Sequence, residues 1–229
     1  MHKTLQANFV PYTFNQFVDF LFARDVQSGS ARRRDSWYFN TEVCFDPHRV
    51  CGYYVQLFRN SAFLLERYST AQLEQGFSAM TVRSLSCSVQ ELIWSPELPF
   101  MDRAECVRSM VYLCRDVFQH DAIGVMASMW WDSFCFAWES GNRQRSRGGE
   151  DLLMQDVLFG ALSEVVLFDS SICRASALHG LEHLHHPETL AWIDGLIPSH
   201  PDIAEELTEY ADGIRGRDPM WMRVARAAD

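Results

Sequence analysis

Apolar residues recur every three to four positions along nearly the whole chain, and this period restricts what it can fold into. Residues at i, i+3, i+4 and i+7 share one face of a helix, so such a stripe has to be buried against another element. Phe14, Phe17, Val18 and Leu21 form one stripe, with Thr13 placed to cap it. Pro47, directly after Asp46, predicts the first turn of a helix that runs to about Arg59. Ser69 and Gln72 have capping-box spacing ahead of Leu73, Phe77 and Met80. A short helical turn is expected over Val89–Trp94, stopping before Pro96. Asp102 is expected to open a helix whose inner face is Cys106, Met110, Leu113 and Val117. Asp121 is expected to open another, with Val125, Met129, Phe136 and Trp138 inward. Two segments break the period: the polar stretch 27–35, which contains Arg32, Arg33 and Arg34, and Trp37–Phe45, which reads as extended.

The clearest loop is Gly141–Gly149, rich in Gly, Arg and polar residues. Helices are predicted after it at 150–167, 170–185, 187–196 and 202–215. Their connections are short, which favours antiparallel neighbours. The fold expected is all-α, a single helical domain over 1–229. The loop marks where it would divide, into a helical N-terminal region over residues 1–140 and hairpins over 150–229.

Within the C-terminal region, Ala177-Leu178 and Leu181 lie on one helix, and Pro187 precedes a second apolar helix through Leu190, Ile193 and Leu196. Over roughly 150–215 this pattern resembles a HEAT-type helical repeat. The resemblance implies stacked antiparallel hairpins in an α-solenoid or compact helical array, a fold used mostly for binding.

Charge is distributed unevenly. The net charge is −10, yet Asp151–Ile214 holds twelve acidic residues against one basic residue, Arg174. Such a field repels nucleic acid and anionic lipid; its plainest role is solubility, and a basic protein surface is its natural counterpart. The runs Arg32–Arg34 and Arg143–Arg147 lack interleaved aromatics, so they read as solvated loops or as pairing groups for the acidic region. The seven cysteines are odd in number and lie mostly within apolar stripes, which argues against a disulfide framework and for a reducing, cytoplasmic setting. Lys3, Gln6, Asn8 and Pro11 interrupt any leader-like run at the N-terminus. The most apolar uncharged run, Ala122–Trp131, is too short to span a bilayer.

One constellation carries recognisable chemistry. His179-Gly180-Leu181-Glu182-His183 places two imidazoles four residues apart on one helical face, with a carboxylate beside the second. This H-x-x-E-H order resembles the inverted zinc metallopeptidases. The resemblance implies His179 and His183 as metal ligands, Glu182 as general base, and a third ligand downstream, for which Glu188, Glu205, Glu206 and Glu209 are the available carboxylates. The competing reading has Leu178, Leu181 and Leu184 facing a core, with the histidines at the helix C-terminus, where cations suit the dipole.

No nucleophile elbow, phosphate-binding glycine loop, dinucleotide fingerprint or EF-hand loop is found, and no cofactor is expected. The reading these observations favour is a non-enzymatic protein-interaction module, for instance an acidic inhibitor or immunity-type protein. Its candidate contacts are Glu205, Glu206 and Glu209, which share one helix, and Trp130 and Trp131, of which only one can face inward on an unbroken helix. A metal-dependent hydrolase at His179–His183 and a small-molecule site among the aromatics 130–138 are the alternatives.

Overall fold

Side-chain caps set the helix starts in the N-terminal region. In the computed structural model, which describes residues 9–26, 36–39, 41–120 and 123–216, Thr13 and Gln16 close a capping box on α1 (Phe14–Phe22). Asp46 accepts from the His48 amide at the start of α2 (Pro47–Arg59), and Ser69 with Gln72 boxes α4 (Thr70–Met80), after the short α3 (Phe63–Arg67). Next come α5 (Val89–Leu92) and α6 (Phe100–Leu113), which begins two residues before Asp102 and leaves that carboxylate in the first turn. A π-helical turn, Cys114–Phe118, extends α6. The chain continues through α7 (Gly124–Met129), α8 (Asp132–Glu139), α9 (Gly149–Val166), α10 (Ser171–Leu184), α11 (Thr189–Leu196) and α12 (Ala204–Gly216). Asp121 and the stretch 27–35, with its three arginines, lie outside the described residues.

The architecture is all-α, with no strand among the described residues. α6 packs between α2 and α9, α10 packs against α7, α8 and α9, and α11 pairs with α12. The α9–α10 and α11–α12 hairpins are compatible with a helical repeat. Buried side chains from Phe17 to Ala211 form one continuous core. All seven cysteines are free thiols, six of them buried. No helix among the described residues is long and apolar enough to cross a membrane.

Two local expectations are corrected. The segment expected to be extended over Trp37–Phe45 begins instead with a turn of 3-10 helix, Trp37–Phe39, beside which the Thr41 hydroxyl donates to the Trp37 carbonyl at 2.8 Å. Among the described residues there is no strand for it to pair with, and the backbone link to the N-terminal segment seen there is the Val10 amide donating to the Cys44 carbonyl, whereas a ladder needs a run of such bonds. The second correction concerns 123–139. The helix breaks at Trp130–Trp131, and both indoles are fully buried. Trp130 meets the rings of Phe58, Phe77 and Phe118, with centroids 5.5–6.1 Å apart. The inward residues are Ala127, Phe134, Cys135 and Trp138, whereas Val125, Met129 and Phe136 are 69%, 40% and 51% exposed. Two adjacent indoles carry more apolar area than any alternative stripe, so the chain breaks its helix to bury both.

Charged groups fix the hairpins. The buried Arg103 guanidinium grips Glu150, in the first turn of α9, through two hydrogen bonds of 2.6 and 3.0 Å, and also donates to the Leu98 and Ile93 carbonyls. The arginine loop is held against α9 as well: Arg143 reaches Asp151 at 2.7 Å and lies over the Trp94 ring, and Arg145 reaches Asp156 at 2.5 Å. These contacts draw the basic run into the acidic region, one of the two roles expected of it.

α10 lies unusually close to the Trp130–Trp131 break. A Cβ built on Gly180 would come 2.8 Å from the Trp131 Cβ and 3.0 Å from a Leu162 methyl, so the approach requires glycine. Gly160, on α9, has nothing within 4 Å of such an atom. Gly180→Ala is therefore expected to cost about 1–3 kcal/mol through overpacking. Gly160→Ala should be neutral or stabilising by up to about 1 kcal/mol. Denaturant midpoints of the two variants check the contrast. Glu150→Gln, which leaves the Arg103 guanidinium without its anion, is expected to lower stability by about 2 kcal/mol in the same measurement, the buried-pair cost being reduced because Glu150 is half exposed.

Candidate functional site

The C-terminal half of α10 carries the only His/Asp/Glu group among the described residues whose ligand atoms converge on one point. Its position follows from packing. Leu178, Leu181 and Leu184 are buried, as the core reading of this helix requires, and this turns His179 and His183 toward α8. At the helix end His185 adopts a left-handed conformation, φ 52°. The terminal carbonyls of Leu184 and His185 accept from the buried Gln155 amide of α9, which satisfies groups that no helical partner can reach.

Every histidine of the cluster faces a carboxylate. His183 Nε2 lies 3.1 Å from Asp132 Oδ1 and 3.2 Å from His179 Nε2, and His179 Nε2 lies 3.9 Å from the same Asp132 oxygen. His185 Nε2 is 2.6 Å from Glu139, and His186 Nε2 is 3.0 Å from Asp156. Phe136 packs edge-on against the His183 ring. His186 stacks flat on Phe159 at 4.0 Å. Burial pushes the His185 and His186 imidazoles below their usual range despite these carboxylates. Asp156 is held below its usual value by hydrogen bonds from Arg145 and His186, which outweigh its partial burial.

Together with a carboxylate that the motif does not contain, His179 and His183, which the H-x-x-E-H order singles out, lie in this group. Glu182 is outside it and stands 3.9 Å from His179 Nδ1 on the far side of the ring. None of Glu188, Glu205, Glu206 and Glu209 joins it. The converging carboxylate is Asp132, upstream on α8. The signal for it was the double tryptophan, whose burial forces the break that starts α8 at that residue.

The other candidates fall elsewhere. Glu205 and Glu209 are exposed on α12, but Glu206 is bound to Arg174 of α10 at 2.6 Å and belongs to the hairpin packing. The expectation that one of Trp130 and Trp131 faces outward is not met, and neither offers a contact surface. Trp130, Trp131, Phe134 and Trp138 are core residues, the usual role of aromatics at helical spacing, and do not line a surface site. Comparison with protein-family models, with curated proteins and with solved structures finds no match to this chain.

The lowered His186 value gives a stability prediction with a defined sign. Folding disfavours the imidazolium, so the stabilisation is present above the unfolded value near 6.5 and is lost as pH falls below it. Asp156 acts only lower, below its ordinary value of 3.8. Unfolding free energy should therefore decline between about pH 7 and pH 5, and His186→Gln should flatten that slope. The check is chemical denaturation at several pH values, with the groups facing His186 (Asp156, Arg145 and Glu188) left unchanged.

Proposed function

We propose that this protein is a non-enzymatic protein-binding module, with HEAT-like helical hairpins as its frame and the outer face of α7–α8 as its contact surface. The observation that carries this reading is the outward orientation of Val125, Met129 and Phe136. Three large apolar side chains on consecutive helices, beside polar groups of α10, have the composition of an interface centre with a polar rim. The acidic surplus supplies the second element. Asp151, Asp156 and Glu206 are neutralised internally by arginines, while Asp202, Glu205 and Glu209 stay exposed at the start of α12. An exposed anionic surface steers a basic partner and contributes to association rate more than to affinity. The arrangement fits an acidic inhibitor or immunity-type protein that covers a cationic effector.

The test separates the two contributions. A partner co-purified with the full chain is assayed kinetically against variants. Met129→Ser with Phe136→Ser should speed dissociation at least tenfold. Glu205→Lys with Glu209→Lys should slow association and remove its dependence on salt; Glu206 is left intact because its reversal would break the Arg174 pair. Recovery of no partner, or kinetics unchanged in both variants, would sink the reading.

A further inference from the structure

The converging atoms of α8 and α10 form a site with the dimensions of a transition-metal ion. Asp132 Oδ1, His179 Nε2 and His183 Nε2 define a triangle with edges of 3.1, 3.2 and 3.9 Å. The point equidistant from its corners falls inside the triangle, about 2.0 Å from each atom, against ordinary zinc–nitrogen and zinc–oxygen distances of about 2.0–2.2 Å. A simple ion pair needs only two of these atoms. With both Nε2 atoms unprotonated, three acceptor atoms face one another, and a cation shared at that point would satisfy all of them.

The surroundings repeat the arrangement of histidine ligands in metal sites. A ligating imidazole is oriented through its second nitrogen, commonly by a carboxylate. Here Glu182 stands 3.9 Å from His179 Nδ1, and Glu139 stands 3.9 Å from His183 Nδ1. The His183 Nδ1 atom is buried without a hydrogen-bond partner, and the Glu139 carboxylate that faces it also binds His185 Nε2 at 2.6 Å. His179 is 41% exposed, which leaves the solvent side of the triangle open for a further ligand.

We infer that Asp132, His179 and His183 bind one divalent first-row transition cation of the zinc class, with Glu182 and Glu139 as orienting carboxylates. Two imidazoles and one carboxylate with open positions suit zinc and also ferrous iron, and exclude the all-oxygen preferences of calcium and magnesium. The assignment reverses the role that the H-x-x-E-H order suggested for Glu182. It goes beyond the binding-module reading and does not depend on it.

The experiment is titration of the purified full chain, under reducing conditions at neutral pH, with zinc alone, with cobalt as a spectroscopic probe, and anaerobically with ferrous iron. One equivalent of zinc should bind, cobalt should show the visible spectrum of a low-coordinate nitrogen–oxygen site, and saturating zinc should raise the melting temperature. Asp132→Asn and His183→Ala should each weaken zinc at least a hundredfold and abolish the thermal shift. Glu139→Gln and Glu182→Gln should each weaken it about tenfold, as loss of an orienting carboxylate does. Tighter binding of iron than zinc would keep the site and change the metal. Helical circular dichroism of each apo variant establishes that it is folded; if His183→Ala is not, Asp132→Asn, which preserves shape, decides alone. Absence of stoichiometric binding by any of the three ions, or equal zinc affinity in wild type and Asp132→Asn, would overturn the proposal.

Discussion

Position 180 has no side chain, and the relation between the two halves of the core depends on that. α10 can approach the Trp130–Trp131 break only because nothing projects from Gly180 toward the Trp131 Cβ and Leu162. The approach seals the second indole, fixes where α8 begins and brings Asp132 beside His179 and His183, the residue before the glycine and the one a turn after it. Interiors packed at crystal density transmit such a constraint without slack. The histidine–carboxylate cluster is therefore a by-product of packing in its placement, whatever it does in its chemistry. Arg103 secures the other side of α9 in a comparable way, by drawing the first turn of that helix onto carbonyls that end the α5–α6 connection.

Much of the fold was legible because it is written locally. Thr13, Asp46 and Ser69 each cap the helix their position announces, and Pro47 sits in a first turn. These signals act over three or four residues and need no knowledge of the tertiary structure. The inner face of α6 was equally readable, since Cys106, Met110, Leu113 and Val117 are all buried. The failures lie where competition between segments decides. Val125, Met129 and Phe136 match a helical stripe as well as Ala127, Phe134 and Trp138 do, and periodicity cannot rank them. Volume does: the indoles take the interior and the smaller stripe turns outward. Trp37–Phe45 shows the same limit, because an aromatic-rich segment becomes a strand only if another strand is there to pair with it.

The candidate site was legible by half for a related reason. Two histidines four apart on a helix are a local fact, and so is the carboxylate next to the second. Which carboxylate meets the Nε2 atoms depends on the helix that crosses α10, and that helix is distant in sequence. The acidic region, too, is completed from outside its own stretch of sequence. Counted along the chain its charges outnumber the single arginine within it, yet Arg143 and Arg145 come from the preceding loop and neutralise Asp151 and Asp156.

That clasped loop has a consequence for the durability of the chain. Gly141–Gly149 looks like a favoured cleavage site for a trypsin-like protease, being polar, glycine-flanked and supplied with three arginines. Such an enzyme needs the arginine side chain in its own specificity pocket and several residues of backbone pulled straight. Arg143 is committed to Asp151 and the Trp94 face, Arg145 to Asp156 and Gln155, and Arg147 to the Asn142 carbonyl. Nicking therefore has to wait for a local opening that releases these contacts. The opening is electrostatically opposed, so the half-life of the intact chain in the presence of such an enzyme is tied to ionic strength.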